Sequence, residues 1–321
     1  MTWRISWLAV ILLSLVMFLA FPGCQTDLQD DNEPAETVDP LKVDFPVFPA
    51  DNPWNSDISQ VSVHPDSASF INAIGASSGL HADFGTVWQG APNGIPYRVV
   101  GKSQAMVAIT YTAYGDESDP GPFPIPDDAP IEGGADSDGD RHVIVVDCDR
   151  RILYELYRAF KVPGGWQAES GARWSLDSNA VRPKYWTSAD AAGLPIFPGL
   201  VRFLEAQAGE INHALRFTVS RTQRGFIYPA RHFASSSNDP ALPPMGLRLR
   251  LKAGFDTSGF SAMNQAILRA LKKYGMIVAD NGGDWYISGA PDGRWDDDDL
   301  HELRRVRGRD FEAVYTGPIE H

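Results

Sequence analysis

The segment His142-Val-Ile-Val-Val-Asp147, followed after Cys-Asp-Arg-Arg by Ile152-Leu-Tyr-Glu-Leu-Tyr157, gives the clearest indication of the fold. Both runs are rich in β-branched and aromatic residues, and a four-residue connection between two such runs is typical of a β-hairpin. Further strand-like runs follow at 172–176, 213–219, 225–228, 247–252, 276–279 and 285–288. Many strands without regular strand–helix alternation favour a mainly β fold with a β-sandwich or jelly-roll-like body.

A few helices complete the predicted architecture. Apolar residues recur at helical spacing over 261–274, which predicts an amphipathic helix near the carboxyl end. A second short helix is expected to start within the acidic run 296–299. An α+β fold is the alternative, with residues 253–321 forming an α/β lobe that packs on the body.

The composition narrows the class of protein. The 321 residues include 28 Lys and Arg against 41 Asp and Glu, a net charge of −13. Such a charge repels a phosphate backbone, so no nucleic acid partner is expected. The chain carries no Walker loop, no Rossmann glycine motif and no Cys/His zinc spacing. No cofactor is therefore predicted from local motifs.

Residues 1–23 are typical of a signal peptide for export, because Arg4 precedes an apolar run that is too short to span a bilayer. Gly23-Cys24 resembles the lipobox of bacterial lipoproteins, which predicts lipid attachment at Cys24. We therefore expect an exported protein that contacts the membrane only through this lipid anchor, with plain secretion as the alternative. Residues 24–43 are predicted to be an acidic disordered tether, and 44–321 a single globular β-rich domain.

The hairpin predicts a candidate catalytic face. A four-residue connection pairs Asp147 with Ile152 and places His142 opposite Tyr157, with Glu155 on the same face. Imidazole, phenol and carboxylate groups together can carry general acid–base chemistry. The alternative is a hydrogen-bonded polar patch at the end of a core face.

Other polar residues extend the predicted site. Arg231 and His232 follow a strand, and the planar guanidinium suits the carboxylate of an anionic sugar. Glu132 lies on the loop that approaches the hairpin and is a further catalytic candidate. Arg141 is a candidate for substrate binding.

Histidine and tryptophan residues suggest two further kinds of contact. His213 begins an otherwise apolar strand face, and His213 and His232 are further catalytic candidates. Alternatively, these two residues and His142 would supply three imidazoles for a divalent metal, with Glu155 as a fourth ligand. Indole faces suit sugar rings. Trp186 and Trp295 lie beside polar loops, so they are predicted to contact substrate.

Six stretches resemble a group of exported bacterial proteins that has no assigned activity: DPGPFPIP (119–126), GDRHVIVVD (139–147), LYELY (153–157), WTSADAAGLP (186–195), HALRFTV (213–219) and LKKYGMIVAD (271–280). The resemblance spans roughly residues 50–315. It implies export and one continuous folded unit, and it assigns no catalytic residue.

These observations predict an exported, envelope-associated enzyme that acts on a polysaccharide or envelope glycan, as a hydrolase or a lyase. The first alternative is a non-catalytic glycan-binding or envelope-scaffold lipoprotein, in which the histidines are structural. The second is a metal-dependent hydrolase, which requires His142, His213 and His232 to converge in one cleft.

Overall fold

The computed structural model of the chain describes residues 43–321. The predicted signal peptide, the predicted lipid attachment at Cys24 and the tether up to residue 42 lie outside the described residues. None of the helices within 43–321 combines the length and the apolar character that crossing a membrane requires.

The described residues form a mainly β structure with few helices, as the sequence predicts. The strands are β1 (His81–Asp83), β2 (Val87–Trp88), β3 (Ala91–Pro92), β4 (Tyr97–Val100), β5 (Ala108–Tyr111), β6 (Val143–Asp147), β7 (Ile152–Tyr157), β8 (Phe160–Val162), β9 (Gly165–Ala168), β10 (Ser170–Ser175), β11 (Leu215–Val219), β12 (Arg248–Leu251), β13 (Met276–Asn281), β14 (Tyr286–Ser288) and β15 (Phe311–Val314). The α-helices are α1 (Ser67–Ile74), α2 (Phe203–Ala208), α3 (Ala262–Lys273) and α4 (Asp297–His301), and short 3₁₀ turns occur at Gly115–Glu117, Phe197–Gly199, Glu302–Arg305 and Gly308–Asp310.

The strands are arranged in several sheets. A six-stranded sheet has the order β1-β14-β11-β13-β12-β15, and a four-stranded sheet has the order β10-β7-β6-β4. Strands β5, β9 and β8 form a third sheet, and β2 and β3 form a short ribbon. Parallel neighbours such as β11 with β13 and β4 with β6 make the larger sheets mixed. With the packed helices, this is a β-rich α+β arrangement.

The β6–β7 hairpin has the register that its four-residue connection predicts. Asp147 pairs with Ile152, and Ile144 pairs with Glu155. The hairpin is buried on both sides, which explains its nearly continuous apolar sequence. Ile144 belongs to the main core with the six-stranded sheet, whereas Val143 belongs to a second core beneath the three-stranded sheet.

The two helices predicted near the carboxyl end are present. Helix α3 begins after Ser261, whose hydroxyl accepts a hydrogen bond from the Asn264 amide, and it is followed by Gly275 at φ +69°. Asp296 caps α4 by accepting from two backbone amides. Strands β13, β14 and β15 join the same sheet as β1 and β11, so the carboxyl-terminal segment contributes directly to the main sheet.

A buried arginine fastens the start of the described chain to this sheet. Arg248 on β12 is buried and donates hydrogen bonds from Nε and Nη2 to the Tyr274 carbonyl at 2.9 and 2.6 Å. Its Nη1 and Nη2 also reach the carbonyls of Pro53 and Ser56, at 2.5 and 3.1 Å. The guanidinium therefore joins the end of α3 to the 53–56 segment.

Candidate active site

A row of polar side chains crosses one face of the six-stranded sheet. The register of β11 and β14 places Arg216 beside Ser288, and β1 places Asp83 beside Ser288 on the other side. Nη1 of Arg216 donates to the Ser288 hydroxyl at 2.6 Å. Because side chains alternate along a strand, Phe217 points to the opposite, apolar face.

A β-bulge adds Asp280 to this polar face. Phe217 pairs with Val278 but Thr218 pairs with Asp280, so Ala279 is an extra residue in β13. The extra residue shifts the alternation by one position and brings Asp280 to the side of Arg216. Oδ2 of Asp280 lies 3.6 Å from Nη2 of Arg216.

The loop over residues 187–195, here called the central loop, covers Arg216. Asp190 of this loop forms a two-pronged ion pair with Arg216, with both N–O distances at 2.8 Å, and its carboxylate is fully buried. The backbone amide of Ala192 donates to the Ala279 carbonyl at 2.9 Å, which attaches the loop to the bulge. The guanidinium and the bulged strand are thus fixed by the same loop.

Asp280 is a partly exposed acid in this arrangement. Its side chain is 24% exposed, whereas Asp190 and Arg216 are almost completely covered. Burial and the nearby Asp190 charge raise the pKa of Asp280 to about 7, despite the opposing charge of Arg216. Asp280 therefore holds its proton over a pH range in which ordinary carboxyl groups are ionised.

His142 and Glu132 form a second charged pair. Nδ1 of His142 lies 2.6 Å from Oε2 of Glu132, and Nε2 lies 3.0 Å from the Ala189 carbonyl oxygen of the central loop. Both neighbours are oxygen acceptors, so both ring nitrogens carry protons and the ring is an imidazolium. Burial lowers the pKa of His142, but the Glu132 carboxylate outweighs burial and raises the pKa to about 9.

Glu132 stays ionised beside this imidazolium. Burial alone would raise its pKa, but the charge and hydrogen bonds of His142 hold the pKa below the usual value. The hydrogen bonds from the ring and backbone of His142 both reach Oε2. Oε1 receives none from residues 43–321, and Glu132 lines an open cleft. One carboxylate oxygen is therefore left for a ligand or a water molecule.

Glu132, Asp140 and His142 offer ligand atoms that lie within 4.8 Å of one another. A metal ion needs a ring nitrogen with a free lone pair, and both nitrogens of His142 donate to oxygen atoms instead. The hydrogen bonds thus favour a shared proton over metal ligation at this position.

The hairpin brings the predicted catalytic trio to one face, but Glu155 has other partners. The His142 and Tyr157 rings are 5.7 Å apart. The fully buried Glu155 accepts hydrogen bonds from the Ile196 and Phe197 amides at 2.9 Å and from Trp174 Nε1 at 3.2 Å. Burial raises the pKa of Glu155 to about 7. Glu155 supports the turn at the end of the central loop, and Glu132 is the acid that orients the imidazole.

The three histidines predicted as metal ligands share no hydrogen-bond partner within residues 43–321. His213 Nε2 lies 3.2 Å from Glu205 and its Nδ1 lies 2.8 Å from the Ala214 carbonyl, at a separate cavity beside residues 43–47. His232 Nδ1 lies 2.7 Å from the Ala191 carbonyl. Arg231 Nε donates to the Arg182 carbonyl at 3.2 Å. His142 and His232 thus contact the central loop two residues apart, and His213 lies elsewhere.

The predicted substrate-binding residues differ in exposure. Trp295 is 4% exposed and packs against the rings of Phe84 and Phe203, so its indole faces are covered. Arg141 is buried and donates to backbone carbonyls of its own loop and of the Ala159 turn. Trp186 is half-buried, with the guanidinium of Arg182 5.5 Å from its ring.

The residues that sequence reasoning did not single out are Arg216, Asp190 and Asp280. One signal for them was present: Arg216 lies between Leu215 and Phe217 and is the charged residue of the strand 215–219. An arginine in such a place needs a buried acid. The sequence does not show which acids pair with Arg216, since Asp190 and Asp280 are 26 and 64 positions away along the chain. A scan against protein-family models and searches of curated proteins and of solved structures find no match for this chain.

Proposed function

We propose that this protein is an exported, envelope-associated polysaccharide hydrolase in which Asp280 is the general acid and Glu132 the general base. One observation carries the proposal: Asp280 lies 3.6 Å from the buried Arg216, the charge of Arg216 also acts on Glu132, and these two partly exposed carboxyl groups are biased toward opposite protonation states. Paired carboxyl groups whose surroundings separate their pKa values are the usual basis of acid–base glycoside hydrolysis. The proposed export rests on the sequence of residues 1–24.

Each carboxyl group has a defined part in the proposed reaction. Asp280 gives its proton to the glycosidic oxygen as the bond from the anomeric carbon to that oxygen breaks. Glu132 takes a proton from the water molecule whose oxygen bonds to the anomeric carbon. One water is consumed, and the proton passes from Glu132 back to Asp280 through solvent, which restores both groups.

The surrounding residues act as positioning residues in this scheme. His142 holds Glu132 through the 2.6 Å hydrogen bond and keeps it ionised. Arg216 is held by Asp190 and lies next to Asp280, whose pKa of about 7 leaves part of the Asp280 population protonated at neutral pH. A fixed pair of charges of this kind needs little rearrangement during the reaction, which is the main source of electrostatic catalysis.

The charge of the cleft favours hydrolysis over elimination. A lyase must neutralise the carboxylate of a uronate before a base removes the neighbouring proton. Among residues 43–321, the cleft beside Glu132 is lined by Asp83, Glu132 and Asp138 and by no lysine or arginine. Arg231, the cation predicted for that task, donates to the backbone carbonyl of Arg182.

The test is a panel of neutral and acidic polysaccharides, assayed both for new reducing ends and for unsaturated products. We expect reducing ends without unsaturation, and activity that falls as the pH rises through about 7, because Asp280 must be protonated. Asp280→Asn should lower kcat by at least about 100-fold. Asp127→Asn is the matched control, because Asp127 is almost fully exposed and its described partner is Lys161.

Three results would count against the proposal. Full activity in Asp280→Asn would remove the general acid. Unsaturated products would show elimination instead. Binding of a polysaccharide without cleavage by the wild-type protein would favour the non-catalytic alternative.

A further inference from the structure

The most exposed tryptophan of the described chain stands beside the proposed catalytic cleft. Trp88 is 66% exposed, whereas Trp54, Trp166, Trp174, Trp285 and Trp295 are all buried. Leaving an indole in water forgoes the stabilisation that burial of so large an apolar side chain would give. An exposed aromatic face at the rim of a cavity is a typical ligand contact.

Trp88 lies on a short ribbon that is held in a fixed position. Gln89 and Gly90, between β2 and β3, both have positive φ angles of 50° and 85°, which is the geometry of a tight hairpin turn. At the base of the ribbon, Thr86 donates its amide to Oδ1 of Asp297 at 2.9 Å. The indole is therefore presented on an anchored element.

The cavity below Trp88 continues to the catalytic base. It has a volume of about 290 Å³, and its polar lining consists of Asp83, Asn93, Glu132, Ser137 and Asp138 in addition to Gln89. This size is at the small end of ligand cavities, which run from roughly 300 to 1,000 Å³. Carboxylate, amide and hydroxyl groups opposite an aromatic face provide the hydrogen bonds and the flat apolar contact that a sugar ring requires.

The charge of the lining selects among sugars. In the part of the chain that the structure describes, three acidic residues and no lysine, arginine or histidine line the cavity. A uronate would bring its own negative charge next to these acidic groups, and like charges at short range repel each other. A neutral ring meets no such penalty.

We propose that the Trp88 cavity is a substrate subsite that stacks one neutral pyranose ring on the indole, next to Glu132. This inference rests on the proposed function, since it assigns the sugar that would occupy the position adjoining the bond to be cleaved. It names the substrate class as a neutral polysaccharide.

The experiment measures binding by the full chain carrying Asp280→Asn, so that the ligand is not consumed. The probes are cellohexaose, xylohexaose, mannohexaose and hexagalacturonate, followed by calorimetry and by tryptophan fluorescence. We expect at least one neutral hexasaccharide to bind and to shift the tryptophan emission, with hexagalacturonate at least tenfold weaker. Adding Trp88→Ala should weaken that binding at least tenfold.

Tyr114→Ala is the matched control, because Tyr114 is another exposed aromatic residue and does not line this cavity. It should leave affinity unchanged. Trp88 is exposed, so its loss should not unfold the protein, and circular dichroism verifies this point. Equal affinity with and without Trp88, tighter binding of hexagalacturonate, or no binding of any neutral probe would overturn the subsite.

The outcome separates the subsite from the proposed reaction. Trp88-dependent binding without hydrolysis by the wild-type protein would retain the subsite and refute the hydrolase. Hydrolysis of a neutral polysaccharide with the same KM in Trp88→Ala would retain the hydrolase and refute the subsite.

Discussion

Replacing Glu132 with glutamine tests whether His142 is an imidazolium in the folded protein. The ordinary pKa of histidine is 6.5, and the pair with Glu132 raises the pKa of His142 to about 9. At about 1.36 kcal/mol for each pH unit, this difference corresponds to about 3 kcal/mol of folding stability. Because the pKa is raised by folding, the stabilisation is complete below pH 6.5 and is lost as the pH rises through 9.

The assay is urea unfolding of the wild-type protein and Glu132→Gln between pH 6.5 and pH 9.5. We expect the wild type to be more stable at pH 6.5 and its advantage to shrink by about 3 kcal/mol at pH 9.5. Glu155 and Asp280, whose pKa values are about 7, titrate in the same pH range. Both proteins contain these two groups, so their contribution to the pH dependence of stability cancels when the proteins are compared. Asp138→Asn is the control, since it removes a nearby exposed charge that does not contact His142.

Parallel pH profiles for the wild type and Glu132→Gln would refute the imidazolium. Ring nitrogen chemical shifts provide an independent measurement. Nδ1 and Nε2 of His142 should both show protonated shifts at pH 7.5 in the wild type, and the ring should be neutral in Glu132→Gln.

Three further changes probe the buried polar groups. Asp190→Leu should lower the free energy of unfolding by about 3 to 5 kcal/mol, because Arg216 would remain buried without its main partner. In the same urea assay the double variant Asp190→Leu with Arg216→Met should lose less stability than Asp190→Leu alone, and a larger loss would contradict this reasoning. Glu155→Ala should destabilise the protein more than Glu155→Gln does, by about 2 kcal/mol, since glutamine can still accept from the two backbone amides. Equal midpoints in thermal unfolding would show that those hydrogen bonds contribute nothing. Arg248→Lys should lower the free energy of unfolding by about 2 to 3 kcal/mol, because a single ammonium cannot reach all three carbonyls. Hydrogen exchange of the 53–56 segment should accelerate, and unchanged exchange there would argue against this anchor.

The hairpin register was predictable because it depends only on the length of a local connection. Four residues between Asp147 and Ile152 fix every pair along β6 and β7, and alternation then fixes the face of His142. Helix α3 was predictable for the same reason, since its capping serine, apolar spacing and terminal glycine lie within one short segment. Local patterns determined local geometry in both cases.

The partners of these side chains were not predictable, because they come from distant irregular segments. The central loop has no periodicity, yet it supplies the acid for Arg216 and the carbonyl for His142. Asp280 reaches the polar face through a bulge, and a strict two-residue alternation would have placed it on the other side. Trp295 adjoins an acidic run that suggests exposure, but that run caps α4 and the indole packs inward.

The many attachments of the central loop have a consequence for how the protein matures. Its bonds to His142, Arg216, Ala279 and His232 join parts of the chain that are brought together only by tertiary structure. Contacts between distant positions form late in folding, because each requires a long stretch of chain to be ordered first. A nascent or partly unfolded chain would thus lack the surroundings that set the protonation states of Asp280 and Glu132. We therefore expect any catalytic activity to appear only in the last cooperative step of folding and to be lost as soon as the protein begins to unfold.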